Sequence, residues 1–364
     1  MLCCECEVTM EKESKRNLLI DVIKGFAILL MLFGHVIQFA SGSEYQRSLL
    51  YYDNVLFKII YSFHMPLFMV VSGWLFFNTL HKKTVLEIVT SRFRTLVLPI
   101  FSFSFIVWVF RVHPEYTVIE QIRNYLSITR YTLWFLWALF YSSMGVLLGN
   151  KLFKDNIFVW VLLIFGSFLT PDKWFSELYK FTFPCFLFGY YAHKHDFVSF
   201  LKKHLVAVIA IGGVVFVACL FHYNLDCFVY ISGSCILKED RIDWLQLYYD
   251  VFRLFVGILG SVFFVAVFLF ANQMFGMKGG FAKAISKIGV CSMGIYCFQT
   301  YFFILYNKWF TFGIVPIDPI AVKEGGNMLI NRLLCFVLAF SVSFGLTYLV
   351  RRLRPLNIML LGGR

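Results

Sequence analysis

Asp21, Lys24 and His35 stand in IDVIKGFAILLMLFGHVIQF, and His64 stands in YSFHMPLFMVVSGWLFF. Both runs are otherwise oily enough to cross a bilayer, where a polar side chain costs free energy unless it is paired or faces a cavity. Lys24 and His35 are eleven residues apart, three helical turns and about 16 Å of rise, so a helix puts them on one face. Asp21, one turn before Lys24, can pair with it and lower the cost of both charges near the inner interface. Counted from the outer helix ends, His35 lies about 8 Å deep and His64 about 10 Å deep. Two imidazoles at matching depth on consecutive helices form a constellation. A neutral imidazole accepts a proton, which is the task of a general base. The plainer role is a hydrogen bond to a neighbouring helix. Pro66, two residues beyond His64, is expected to break the local helical ladder and so mark a cavity wall.

Further polar residues lie nearer the membrane surfaces. HKKTVLEIVTSRFRTLVLPIF carries Lys82, Lys83, Arg92 and Arg94 before a proline-containing helix start. Such a collar ordinarily enforces topology, and its arginines also suit polyphosphate, through bidentate forks and charge. Asp250 and Arg253 sit one turn apart in YYDVFRLF, and Arg332 falls near the start of the last apolar run. Snorkelling is the ordinary role of such arginines. The sharper alternative is a polar outer vestibule that binds a sugar.

The elements that must position these groups follow from composition. The chain has 364 residues, 60% hydrophobic and 15% charged, where soluble proteins carry roughly a quarter charged. An all-α polytopic membrane protein is expected, with about ten spans: 18–40, 55–80, 95–111, 132–149, 157–170, 175–192, 205–222, 248–272, 288–307 and 329–350. The fifth is the weakest, because IFVWVLLIFGSFLT is short for a crossing. Keeping it places nearly twice as many lysines and arginines in alternate loops on the side of the N-terminus as on the other. That asymmetry puts both termini in the cytoplasm. Residues 1–17 and 351–364 are then cytoplasmic tails of a membrane domain over 18–350. The longest connections, 112–131 and 223–247, fall outside, where an acceptor can be gripped.

The formal charge of +12 is spread over inner loops beside an anionic leaflet of membrane lipid and resembles no groove-reading module, so no nucleic acid partner is expected. Cys3, Cys4 and Cys6 crowd together too tightly for a usual zinc spacing, and no metal site is expected. Cys227 and Cys235 share an outer loop, where a disulfide is chemically allowed and unproven. No cleavable signal peptide is expected, since the first run is too long for one and lacks a small-residue cleavage site. Met10 is an alternative start. Intramembrane charges also mark translocation pathways, so an exporter of polysaccharide or lipid-linked sugar is the rival class. Paired broken helices would favour it, and none is legible in the sequence. A non-catalytic scaffold is the third reading.

RNLLIDVIKGFAILLMLFGH, FHMPLFMVVSGWLF, SRFRTLVLPIF, LWFLWALFY, FPCFLFGYYAHK and SMGIYCFQTYFF, in this order, resemble the signature segments of the membrane-bound acyltransferase-3 family. The resemblance implies ten membrane helices and transfer of an acyl group, commonly acetyl from acetyl-CoA, to hydroxyls of extracytoplasmic glycans. It makes His35 the catalytic histidine; His64, read from its depth alone, either assists or only supports the cavity wall. It puts Lys24 at the basic position of a D-x-x-[RK]-G pattern, and assigns Arg92 and Arg94 to acyl-CoA, although here they are two apart where many relatives have three. Gln299 stands where many members have a second histidine. Larger members append an SGNH hydrolase-like domain; here transfer is expected within the membrane domain or with a separate partner from an envelope-polysaccharide assembly. The implied location is the bacterial inner (plasma) membrane.

Overall fold

A computed structural model describes residues 17–40, 48–110, 115–277, 279–311 and 326–363, with the backbone alone at 307–311 and 326–328. The N-terminal cysteines and Lys12, Lys15 and Arg16 lie outside the described residues. Helices make up nearly all of it. They are α1 (Leu18–Phe39), α2 (Val55–Lys82), α3 (Val85–Arg92), α4 (Leu98–Val109), α5 (Val118–Tyr131), α6 (Trp134–Phe153), α7 (Ile157–Phe168) and α8 (Ser176–Lys194). Then come α9 (Phe197–Lys203), α10 (Leu205–His222), α11 (Val229–Ser232), α12 (Trp244–Phe275), α13 (Gly280–Val290), α14 (Ser292–Thr311), α15 (Gly326–Arg352) and α16 (Arg354–Leu361). A two-residue antiparallel ribbon, β1 (Leu237–Lys238) with β2 (Arg241–Ile242), decorates one loop.

Helix starts follow local chemistry. Asn17 and Asn54 cap α1 and α2 by accepting backbone N–H groups, and Thr84 with Glu87 closes a reciprocal capping box on α3. The π-helical turn at Phe93–Val97 carries α3 into α4 without a stop, so 85–109 runs as one apolar length. Pro66 does not interrupt α2, contrary to expectation. It forfeits one ladder bond only, and its ring packs where Gly257 of α12 leaves room, a Cβ there meeting Pro66 at 2.6 Å.

α2 is the hub, packed against α1, α8 and α12, while α1 also packs against α13 and α14. The α2–α8 crossing brings backbones together: a Cβ on Gly73 would meet the Phe186 carbonyl oxygen at 1.9 Å, and one on Gly189 the Val70 oxygen at 2.0 Å. Only glycine permits that approach. The outer faces of α10, α7 and α15 stay apolar and exposed, at Val214, Phe221, Leu162 and Leu338 among others, as lipid-facing helices do. The protein is an integral membrane protein.

Each expected span overlaps helix, the ninth straddling the break between α13 and α14, but not all are equal. Among the described residues, six helical lengths are long and apolar enough to cross a bilayer, and eight if each of two bent pairs is one span. The bends are 73° between α5 and α6 and 68° between α13 and α14. Helix α7, at 12 residues, is about 18 Å long, short of the roughly 30 Å hydrocarbon core. Its ends nevertheless reach opposite ends of α8: Asp155 pairs with Lys194 at 2.5 Å, and Lys180 donates to the Thr170 carbonyl at 2.6 Å. The segment that follows Arg352 is helical too, since α16 packs on α4 and Ser102 Oγ donates to the Met359 carbonyl at 2.8 Å.

Candidate active site at a junction of three cavities

Three cavities follow the face of α1 that carries Lys24, Ile28, Met31, His35 and Phe39, a spacing of one residue per turn. The first, about 390 Å³, lies toward Lys24, Arg92 and Arg351. The second is a small chamber of about 50 Å³ bounded by Met31, His35, Tyr61, His64 and Met65. The third, about 460 Å³, is lined by His35, Phe39, Asn124, Ser127, Gln299 and Thr300. Met31 and Met65 are shared by the first two, and His35 and Trp134 by the last two. Among the described residues, Tyr296 alone lines all three.

Both bent helix pairs open onto this system. Leu133, at φ 52°, turns the chain from α5 into α6 without any side-chain cap. Its neighbours Thr132 and Trp134 line the third cavity. Cys291, Ser292 and Gly294 at the α13–α14 break line the first. Irregular backbone at membrane depth is stable where it borders a cavity or is covered by protein. The hydroxyl of Tyr296 accepts the Phe135 N–H at 3.2 Å, which caps α6 in place of the missing side chain. That leaves the Tyr296 proton to donate elsewhere.

The histidines differ in their bonding. His64 is 1% exposed, and its Nδ1 lies 2.7 Å from the Ile60 carbonyl. Donation there leaves Nε2 as the lone-pair nitrogen. The His35 ring stacks on Phe39 and meets Tyr61 edge-on at 6.3 Å, and its Nδ1 is buried with no hydrogen-bond partner. Tyr61 touches both rings, with His64 at 4.8 Å. Gln299 is 3% exposed; its Nε2 donates to Thr300 Oγ1 at 3.3 Å, and its Oε1 has no partner.

The cations separate. Lys24 and Asp21 are joined at 2.6 Å, and Lys24 lines the first cavity. Arg92 lies over the Phe76 ring at 4.9 Å and lines the same cavity. Arg94 does not: it is exposed, and its backbone approaches Gly362 after α16. Arg351, counted in the sequence only as an inner charge, reaches the Val290 carbonyl at 3.3 Å and lines the first cavity.

Asp250 and Arg253 are buried together, each 1% exposed, and line none of the three cavities. Arg253 pairs with Asp250 and donates to the Gly233 carbonyl and to Ser232 Oγ, the last at 2.9 Å. The pair thus fastens the preceding connection to α12. Arg332 stands half-buried on α15, also away from the cavities. Cys227 and Cys235 are unbridged, their thiols directed to Asn224 Oδ1 and the Leu237 carbonyl. Among the described residues no three His, Cys, Asp or Glu side chains gather as a metal site.

A polytopic membrane protein with an imidazole between two cavities matches one class of enzyme by sequence as well. The family model described as an acyltransferase domain, the acyltransferase-3 type, matches residues 17–352, and the chain belongs to that family. It is 27% identical over 259 residues to the "Nodulation protein NolL" of Mesorhizobium japonicum, covering 68% of this chain and 66% of that protein. It is 24% identical over 267 residues to the protein of the same name from Sinorhizobium fredii, covering 71% and 69%. The chain spans about two-thirds of the length of these relatives. No solved structure gives a significant match.

Proposed function

We propose that this chain moves an acyl group, acetyl being the expected one, from acyl-CoA to a hydroxyl of an extracytoplasmic or lipid-linked glycan, with His35 as general base. In this reading the first cavity opens to the cytoplasm and the third to the outside, with both termini inside and ten crossings including α7. The reach of α7 from one end of α8 to the other supports that count. The location is the inner membrane, and envelope-polysaccharide assembly proteins supply or remove the acceptor.

Lys24, Arg92 and Arg351 fit the polyphosphate of coenzyme A, and the apolar walls of the first cavity fit its pantetheine arm. The acceptor hydroxyl enters the third cavity and gives its proton to His35 as its oxygen attacks the thioester carbonyl. Tyr296 donates to the oxygen that becomes negative, its own lone pair already engaged by Phe135 N–H. The C–S bond then breaks, the C–O bond stands, and the imidazolium returns the proton to the departing thiolate. His64 orients or assists from the chamber wall.

The observation that carries this reading is that Tyr296 lines all three cavities, two of which His35 also borders. Purified protein tests it: free thiol released from acetyl-CoA should depend on His35, and His35→Ala should abolish release without changing elution from a sizing column. A transport reading draws support from the two broken helices. It requires flux of a sugar across sealed vesicles without thioester cleavage, which the same preparation can measure.

A further inference from the structure

A carbonyl under attack carries three substituents besides its oxygen: the departing sulfur, the incoming hydroxyl and the acyl tail. Three cavities converge at Tyr296. The first, with its cations, suits the sulfur-bearing arm; the third, with Asn124, Ser127, Gln299 and Thr300, suits a polyhydroxyl acceptor. The small chamber between His35 and His64 is left for the tail. We propose that this chamber is an acyl pocket in which Met31 and Met65 act as a ruler, admitting a two-carbon acyl group and excluding longer or charged ones. The proposal rests on the transferase reading above.

Size comes first. The chamber is about 50 Å³, roughly a third of the 150 Å³ apolar cavity that accommodates benzene. It takes a methyl group and has no room for a propyl tail. Its inner boundary is Met31, 2% exposed, together with Met65, both shared with the first cavity. Tyr61, Phe181 and Trp134 add rigid rings to its walls, beside Tyr223, Phe228 and Tyr230. An unbranched thioether fills such a gap closely, and its removal leaves a volume the aromatic walls cannot collapse into.

Charge comes second. Among the described residues, no lysine or arginine lines the chamber. His64 Nδ1 is occupied by the Ile60 carbonyl, so the ring presents a lone pair to the chamber. A succinyl carboxylate placed there would lose its water and face that lone pair with no counter-ion. The transfer itself is unaltered by the tail: the C–S bond breaks, the C–O bond forms, and the hydroxyl proton passes through His35 to the thiolate.

The test is a donor panel of acetyl-, propionyl-, butyryl- and succinyl-CoA, with release of free thiol from purified wild type, Met31→Ala and Met65→Ala. Wild type should release thiol from butyryl-CoA at about one-tenth the acetyl-CoA rate or less, the discrimination that excess methylenes produce in a tight pocket, and negligibly from succinyl-CoA. Either alanine variant should raise the butyryl-to-acetyl ratio about tenfold. Met65→Leu, nearly volume-conserving, should keep the wild-type preference and serves where alanine costs the fold. Wild type accepting butyryl- or succinyl-CoA as readily as acetyl-CoA overturns the proposal, as does an unchanged ratio in an alanine variant that still turns over acetyl-CoA. If no thioester is cleaved by any form, wild type included, the transferase reading fails instead.

Discussion

His35 and Arg253 look alike in the sequence, each a basic side chain in an apolar run, and the fold treats them in opposite ways. Arg253 is enclosed with Asp250, Ser232 and the Gly233 carbonyl, so its donors are spent on the protein itself. His35 borders two cavities and leaves Nδ1 without a partner. Hydrogen-bond completeness separates the two roles: a polar group satisfied within the fold holds structure, and one left unsatisfied beside a cavity has capacity for a substrate. Lys24 stands between them, ion-paired to Asp21 yet lining the first cavity.

The contrast is broken most directly at its two poles. His35→Ala should reduce acyl transfer by about 10²–10⁴-fold, the usual contribution of a general base, while the unfolding temperature in detergent stays put. Arg253→Ala should do the reverse. Stranding Asp250 without its partner is expected to cost about 3–5 kcal/mol, read as a lower unfolding temperature with the remaining folded protein still active. The double change Asp250→Leu with Arg253→Met should recover much of that loss, because no buried charge is left alone. A variant at Arg253 that stays stable and raises only the acceptor KM would return this pair to the vestibule role.

Tyr296→Phe sharpens the comparison within the junction. Losing one oxyanion donor typically lowers kcat by about 10²–10³-fold, so a drop confined to kcat, with KM for both substrates kept, is the expected result. Arg92→Ala should raise KM for acyl-CoA about tenfold, and Arg94→Ala less than twofold, because only Arg92 lines the first cavity. Equal effects at the two positions would contradict that division.

The smallest effect concerns the connection before α12. Burial pushes the Asp172 carboxyl upward, but Lys180 at 2.7 Å and the Ser234 N–H and hydroxyl outweigh it and hold its pKa below the ordinary carboxylate value. A depressed folded pKa contributes stability that is fully present above the unfolded value near 4 and is lost as pH falls through the folded value. Protection of the 223–243 amides, their exchange rate divided into the intrinsic rate at each pH, should therefore fall below about pH 4 and be flat from pH 5 to 8. Asp172→Asn should remove that acid step.

His35, Lys24 and their common face were legible because helical periodicity is a local property. Tyr296 was not, as one of 19 tyrosines in a chain of which a fifth is aromatic. Arg351 carried only a topological signal, since positive charge at an inner helix end looks the same whether or not it faces a cavity. The α5–α6 bend hid because it turns on Leu133, a residue type that seldom adopts positive φ. The α13–α14 bend has a faint marker in Gly289, whose Cβ would meet the Asp21 carbonyl oxygen at 1.8 Å.

By itself the sequence determined a lipid-embedded helical chain and the polar residues along its first two helices, because hydropathy and spacing act over one or two turns. Which of those residues meet was decided by tertiary structure alone. Bends at Leu133 and Cys291 carry Tyr296, Trp134 and Gln299 to the same place as His35, and close packing leaves Arg253 no room to face anything but its own loop. Both outcomes depend on contacts between segments far apart in the chain, which no local pattern encodes.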